Sequence, residues 1–202
     1  YDSNLECFLI APMTKQSEEL ECTLSKNHSS VIINFSIASN NHSDKCRFLS
    51  GGDAEVEIWE MIWDKYRSTP EVLAYNILQT PHHCSWRTLS YDSWSGKGES
   101  AKESADAVNA LSQARKGAAI VASSKLIQDE DSDPPCIRAK RTYTRIVQQL
   151  SVSGKFYCTG EYPKSTNVKP LIFEIDNVGV RVANKAVIGA ASIAASPNLR
   201  AG

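Results

Sequence analysis

Short apolar runs alternate along the chain with stretches in which apolar residues recur every three or four positions, the mark of an α/β layer structure. "CFLIAPM" at 7–13 reads as a strand running out into a polar, acidic stretch. "SVIINFSI" at 30–37 alternates apolar and polar residues, as a strand with one buried face does. Beyond the polar "ASNNHSDK", "CRFLSGG" at 46–52 is its expected antiparallel hairpin partner. From Asp53 the period changes. Val56, Trp59, Ile62 or Trp63, and Tyr66 fall at helical spacing, with Glu55, Glu57, Glu60 and Asp64 on the other face and Pro70 closing the region. "LAYNILQ" at 73–79 is the next strand, and 81–99 is a loop rich in Ser, Trp and Gly, of a length that often carries function. A helix over about 100–115, with Ala101, Ala105, Val108 and Leu111 inward, leads to a buried strand "GAAIVASS" at 117–124. The acidic "QDEDSDPP" then precedes a basic helix over 136–151, and "KFYCTG", "KPLIFEI" and "VGVRV" supply closing strands. Residues 1–182 therefore read as one unit and 183–202 as a loosely held tail of small residues.

A chain of 202 residues is long enough to bury one core, or to form most of a larger domain. Its 22 Lys and Arg balance 23 Asp and Glu, so no overall field gathers nucleic acid and any phosphate site must be local. Hydrophobic residues make up 42%, yet no apolar run approaches the roughly 20 residues that span a bilayer, and no membrane segment is expected. The six cysteines are scattered without a CxxC pair, as reduced thiols are. The start "YDSNLECFLIAPM" has neither the features of a secretory signal nor an initiator Met. A cytoplasmic protein that begins inside a longer gene product is the expectation.

Two strand ends carry the candidate chemistry. In "FLSGGDAEVEIWE" an apolar strand passes through two glycines into Asp53 at the head of a helix, where a carboxylate serves equally as a metal ligand or as an N-cap. In "PHHCSW" half of the chain's four histidines stand side by side; imidazoles so placed either ligate a metal or bond the loop backbone. "IRAKRTYTR" at 137–145 sets Arg138, Lys140, Arg141 and Arg145 beside Tyr143, a surface for a phosphate backbone or a plain solvated helix face.

Taken in order, "NHSSVIINFSI", "CRFLSGGDAEVEIWEMI", "LAYNILQTPHHCSW" and "GAAIVASS" resemble the C-terminal half of a metallo-β-lactamase-fold hydrolase, in the branch found in competence-type DNA-uptake channels. The resemblance implies half of a four-layer αβ/βα sandwich and a metal-dependent hydrolase, most concretely a phosphodiesterase acting on nucleic acid or a nucleotide. It implies two divalent ions, zinc or manganese, with Asp53, His82 and His83 as metal ligands and Asp53 and His83 as catalytic groups. Asn27, Ser30, Ser85 and Asp133 are the implied substrate-binding positions. The family's His-x-His-x-Asp-His motif is absent, and its usual Gly after the double His is Cys84, read here as a small buried hydrophobe. The chain is thus expected to need a separate N-terminal half or complementary chain that carries that motif. The alternatives are an amide, ester or thioester hydrolase, or a catalytically silent module that binds a protein partner.

Overall fold

The computed structural model describes residues 4–12, 29–39, 42–130 and 132–183. Six strands form the main sheet: β1 (Leu5–Ala11), β2 (Ile32–Ser39), β3 (His42–Ser50), β4 (Tyr75–Gln79), β5 (Ala114–Ala122) and β6 (Lys155–Cys158). Their order across the sheet is their order along the chain. β1, β2 and β3 pair antiparallel, while β3 through β6 run parallel. The expected hairpin is present; only residues 40 and 41 join β2 to β3, which permits no other pairing.

Parallel neighbours need crossovers, and helices α1 (Val56–Tyr66), α2 (Ala105–Leu111) and α3 (Ile137–Val147) supply them. Right-handed crossovers between strands added in one direction place all three helices over the same face. That face holds the core. Leu49, Leu78 and Ile120 stand side by side on β3, β4 and β5, each 0% exposed, under Trp59, Ile62, Leu111 and Tyr143 of the helices. Two polar atoms entering this layer find backbone partners: Trp59 Nε1 donates to the Ala54 carbonyl at 3.2 Å and Tyr75 Oη to that of Leu111 at 2.7 Å. The periodicity of α1 is seen as expected, with Val56, Trp59, Ile62 and Tyr66 buried.

Several sequence expectations shift. α2 is shorter than 100–115 because Ser104 caps it, its Oγ accepting from Ala107 N at 3.2 Å. That start turns Ala107, Ala110 and Leu111 inward and leaves Ala105 exposed, while Ala101 is buried ahead of the helix. β5 begins at Ala114 rather than 117; of the closing segments, "KFYCTG" supplies β6 of the main sheet, while Phe173–Ile175 (β7) and Val180–Val182 (β8) pair with each other in a second sheet. The tail from 184 lies outside the described residues.

The 81–99 loop is a chain of short helical turns rather than open coil. Trp86 is fully buried, its Nε1 donating to the Asp92 carbonyl at 2.9 Å and its ring meeting Trp94 edge-on at 6.2 Å. Arg138 of α3 lies 5.7 Å and 6.0 Å from these two rings. Every basic group of the α3 face has a carboxylate: Arg138 and Arg141 meet Glu99 at 3.0 and 2.9 Å, Arg145 meets Glu103, and Lys140 meets Glu161 at 2.8 Å. Arg138, Arg141 and Arg145 thus tie this face to the 86–104 segment, so it is not a plain solvated surface.

The sheet's other face is apolar and only partly covered. Phe35 and Phe48 stack there at 5.8 Å, and β7 approaches to form a groove of about 380 Å³ among Ile37, Phe48, Ile77, Val121, Phe173 and Ile175.

Candidate functional site at the strand ends

The C-terminal ends of parallel strands are where α/β folds place ligands. Here the ends of β3, β4 and β5 are drawn together by the backbone. Gly51 N donates to the Gln79 carbonyl at 3.3 Å, and Thr80 N to that of Val121 at 2.9 Å. Gly51 then packs on Pro81 so closely that a Cβ would stand 2.5 Å from its Cγ. His82 N donates to the Gly52 carbonyl at 2.8 Å. Gly52 has φ +54°, and a Cβ there would meet the Val31 carbonyl at 2.7 Å and Ser30 Cβ at 3.2 Å. The glycine pair is therefore what lets the β3 end touch both the segment entering β2 and the histidine loop.

His82, His83 and Cys84 follow one another with φ of 45°, 55° and 73°. Each left-handed non-glycine residue costs on the order of 1 kcal/mol or more. The turn throws the two rings apart, 6.4 Å between centroids. His83 is exposed, and its Nδ1 lies 2.7 Å from the Ser123 carbonyl at the end of β5. A carbonyl only accepts, so Nδ1 carries the proton and Nε2 presents a lone pair outward. His82 Nδ1 is buried without a partner among the described residues, as is Thr80 Oγ1 two residues earlier. Asp53 lies exposed in the turn before α1 and is not the cap: Glu55 holds the N-cap position, with no side-chain hydrogen bond to the helix amides.

Beneath the histidines, Cys84 is buried, and burial pushes its thiol well above the ordinary range. Its carbonyl accepts from Cys136 N at 3.0 Å, tying the loop to the start of α3. Ser85 is buried and spends its Oγ on Arg87 N at 3.1 Å, capping the next turn. Asp133 is exposed as a residue, but its Oδ1 accepts from Trp86 N at 2.9 Å. Both are positioned to shape the loop. Beside them opens a cleft of about 410 Å³ walled by Glu55, Glu57, Asp133, Arg87, Tyr91 and Trp94.

Comparison with known families, curated proteins and solved structures finds no match. Of the positions implied by the resemblance, Ser30, Asp53, His82 and His83 lie on the segments that meet at this edge; Asn27 lies outside the described residues. Two imidazoles sharing one tetrahedral ion have centroids about 5 Å apart, so rings at 6.4 Å suit different tasks, one as ligand and one beside it. No group of three or more His, Cys, Asp or Glu side chains close enough to hold a metal occurs among the described residues. What fits a metal is the outward Nε2 of His83 with its second nitrogen fixed by a carbonyl, the usual support of a ligating histidine. Neither the Ser123 carbonyl nor Thr80 is marked in the sequence; a backbone acceptor 40 residues away leaves no sequence signal.

No described helix is long and apolar enough to cross a membrane.

Proposed function

We propose that this chain contributes the C-terminal half of a metallo-β-lactamase-like hydrolase, with His83 as its metal ligand, His82 beside it and Asp53 on the facing turn. The observation that carries the reading is the run of three left-handed residues at His82, His83 and Cys84, where glycine would relieve the backbone and two imidazoles stand instead. The arrangement of strands also suits it: a sheet with helices on one face and an apolar second face matches half of a sandwich whose other half brings the remaining ligands. Zinc or manganese bound there would supply an activated water and a Lewis acid. This chain's part is to orient His83 through Ser123, to hold the β3 and β4 ends together through Gly51 and Gly52, and to exclude water behind the rings with Trp86 and Cys84.

Phosphodiester hydrolysis is the activity the resemblance points to. The cleft beside the site favours the second reading, hydrolysis of an uncharged amide, ester or thioester, because the carboxylates that line it, Glu55, Glu57, Asp92 and Asp133, outnumber its one lining cation, Arg87, which disfavours a polyanion. The apolar sheet face equally serves the non-enzymatic reading, a module that docks a partner protein.

Titration of the purified chain with zinc and with manganese, followed by calorimetry, tests the site. His83→Gly and His82→Gly should leave thermal stability equal or higher, since the backbone strain is relieved, while His83→Gly removes metal binding. Equal binding by wild type and both variants would retire the metal reading. Mixing with a polypeptide carrying His-x-His-x-Asp-His then tests catalysis, and Asp53→Ala should abolish the metal-dependent hydrolysis that appears.

A further inference from the structure

β7 crosses the apolar face of the main sheet as a strap fastened at both ends. Ser39 Oγ, at the end of β2, donates to the Ile175 carbonyl at 3.5 Å, and the Phe173 ring meets Tyr157 of β6 edge-on at 6.3 Å. Side chains two residues apart on a strand share a face, and Phe173 and Ile175 both turn toward the sheet as the roof of the groove of about 380 Å³. Ile37, Phe48, Phe173 and Ile175 are each only half-buried, so apolar surface from floor and roof faces this space.

The register of the floor fixes the dimensions. Phe48 pairs with Ile77 and Ile77 with Ala119; Cys46 stands two residues below that row and Val121 two above it. At about 3.3 Å per residue and 4.8 Å per strand, the diagonal from Cys46 to Val121 is about 16 Å. Spread over that length, the volume is the width of one extended alkyl chain. A helix, about 10 Å across, would need roughly three times the space. The polar groups of the lining gather at one end. Gln79 and Ser123 follow Ile77 and Val121 by two residues and bring a side-chain amide and a hydroxyl, both donors, to the mouth at the strand ends. Thr159, at the same end, spends its hydroxyl on the Ser124 carbonyl at 3.2 Å. An apolar slot with a few polar groups at its mouth is the usual form of a small-molecule site.

We propose that this groove binds a medium-chain fatty carboxylate, its hydrocarbon lying between Phe48 and Phe173, its methyl end under Ile175 and its carboxylate at Gln79 and Ser123. Both walls belong to this chain, so the site does not rest on the hydrolase reading and needs no second half or metal.

The test titrates hexanoate, decanoate and 1-adamantanecarboxylate, below any micelle concentration, into the whole chain without metal while NMR follows Ile77, Val121 and Ile175. Decanoate should saturate these shifts. Affinity should gain about threefold per methylene, making decanoate roughly a hundredfold tighter than hexanoate. The adamantane cage, with the same head but too wide for the slot, should bind at least tenfold more weakly than decanoate. Ile175→Trp, which fills the groove from the roof, should weaken decanoate by a similar factor, while Val178→Trp on the exposed β7–β8 turn should not. Failure of decanoate to saturate, equal affinity of hexanoate and decanoate, or wild-type binding by Ile175→Trp would overturn the proposal. Adamantanecarboxylate binding as tightly as decanoate would overturn it too, in favour of a general apolar face such as one that receives a protein. The wild-type series decides the matter even if Ile175→Trp does not fold.

Discussion

Gly51→Ala is the sharpest probe of how the strand ends are held. A Cβ at residue 51 would lie 2.5 Å from Pro81 Cγ and 2.9 Å from both its Cδ and its N. Ordinary carbon contacts lie at about 3.5–4.0 Å, so one side must retreat by about 1 Å. A change of ring pucker moves Cγ but leaves N and Cδ in place, so the backbone has to give. Overpacking of this kind costs about 1–3 kcal/mol. The neighbouring bond from His82 N to the Gly52 carbonyl, 2.8 Å long, spans the same contact and stretches with it. Its weakening adds roughly 1 kcal/mol. Together the loss is about 2–4 kcal/mol, a substantial part of the 5–15 kcal/mol typical of a folded domain. Gly96→Ala is the control, since its Cβ meets only Ser93, at 3.6 Å, and a helical turn there gains from alanine. Urea unfolding of both variants gives the answer. A loss under about 0.5 kcal/mol in Gly51→Ala, within the range of a neutral surface change, would show that the two loops do not meet as described.

Two further outcomes are expected. In native protein at pH 8, iodoacetamide should alkylate exposed Cys7 and spare Cys46, Cys84, Cys136 and Cys158 until unfolding; burial also pushes the Cys46 thiol up to about 11. Labelling of Cys84 at the rate of Cys7, read by mass spectrometry, would mean that the histidine loop is not packed on α3. Burial works to raise the Asp44 carboxyl, but the hydrogen bonds and charges of Arg115 and Arg47 outweigh it and hold the group below its ordinary 3.8. A carboxyl depressed in the folded state stabilises above its unfolded value, and the effect disappears as pH falls through the folded one. Arg115→Gln should therefore cost up to about 1 kcal/mol at pH 7, as befits a partly exposed pair, with the gap to wild type narrowing below pH 3.8. A gap independent of pH would assign the loss to packing.

The elements that rest on local pattern are legible in the sequence. The alternation in "SVIINFSI", the 3.6-residue spacing of Val56, Trp59, Ile62 and Tyr66, and the apolar run before Pro81 each report which atoms neighbour one another within a few residues. Contacts between distant segments left no such trace. Ser104 capping α2 leaves Ala101 outside the helix, and Glu103 and Glu99 bind α3 across about 40 residues. Asp53 reads as a cap because it precedes an amphipathic run, yet the chain spends two more residues turning before α1 begins. The left-handed turn at His82 to Cys84 was equally hidden, since none of the three is a glycine and the constraint arises from Gly52 and Ser123 pulling on either side. The candidate site was visible as two residue types at two strand ends; which nitrogen is available for a ligand was not.

The coincidence of strand order with chain order has a consequence for assembly. Each strand that emerges from the ribosome finds its only neighbour already made, so the sheet grows from one edge without reserving a gap for a later strand. Crossovers close loops of tens of residues rather than of the whole chain, which keeps the entropy of each addition modest. Vectorial growth of this kind leaves the β1 edge as the oldest part of the structure and β6 as the newest. Stalled or shortened chains would accordingly lose strands from the β6 side first, while the β2–β3 hairpin survives in all of them.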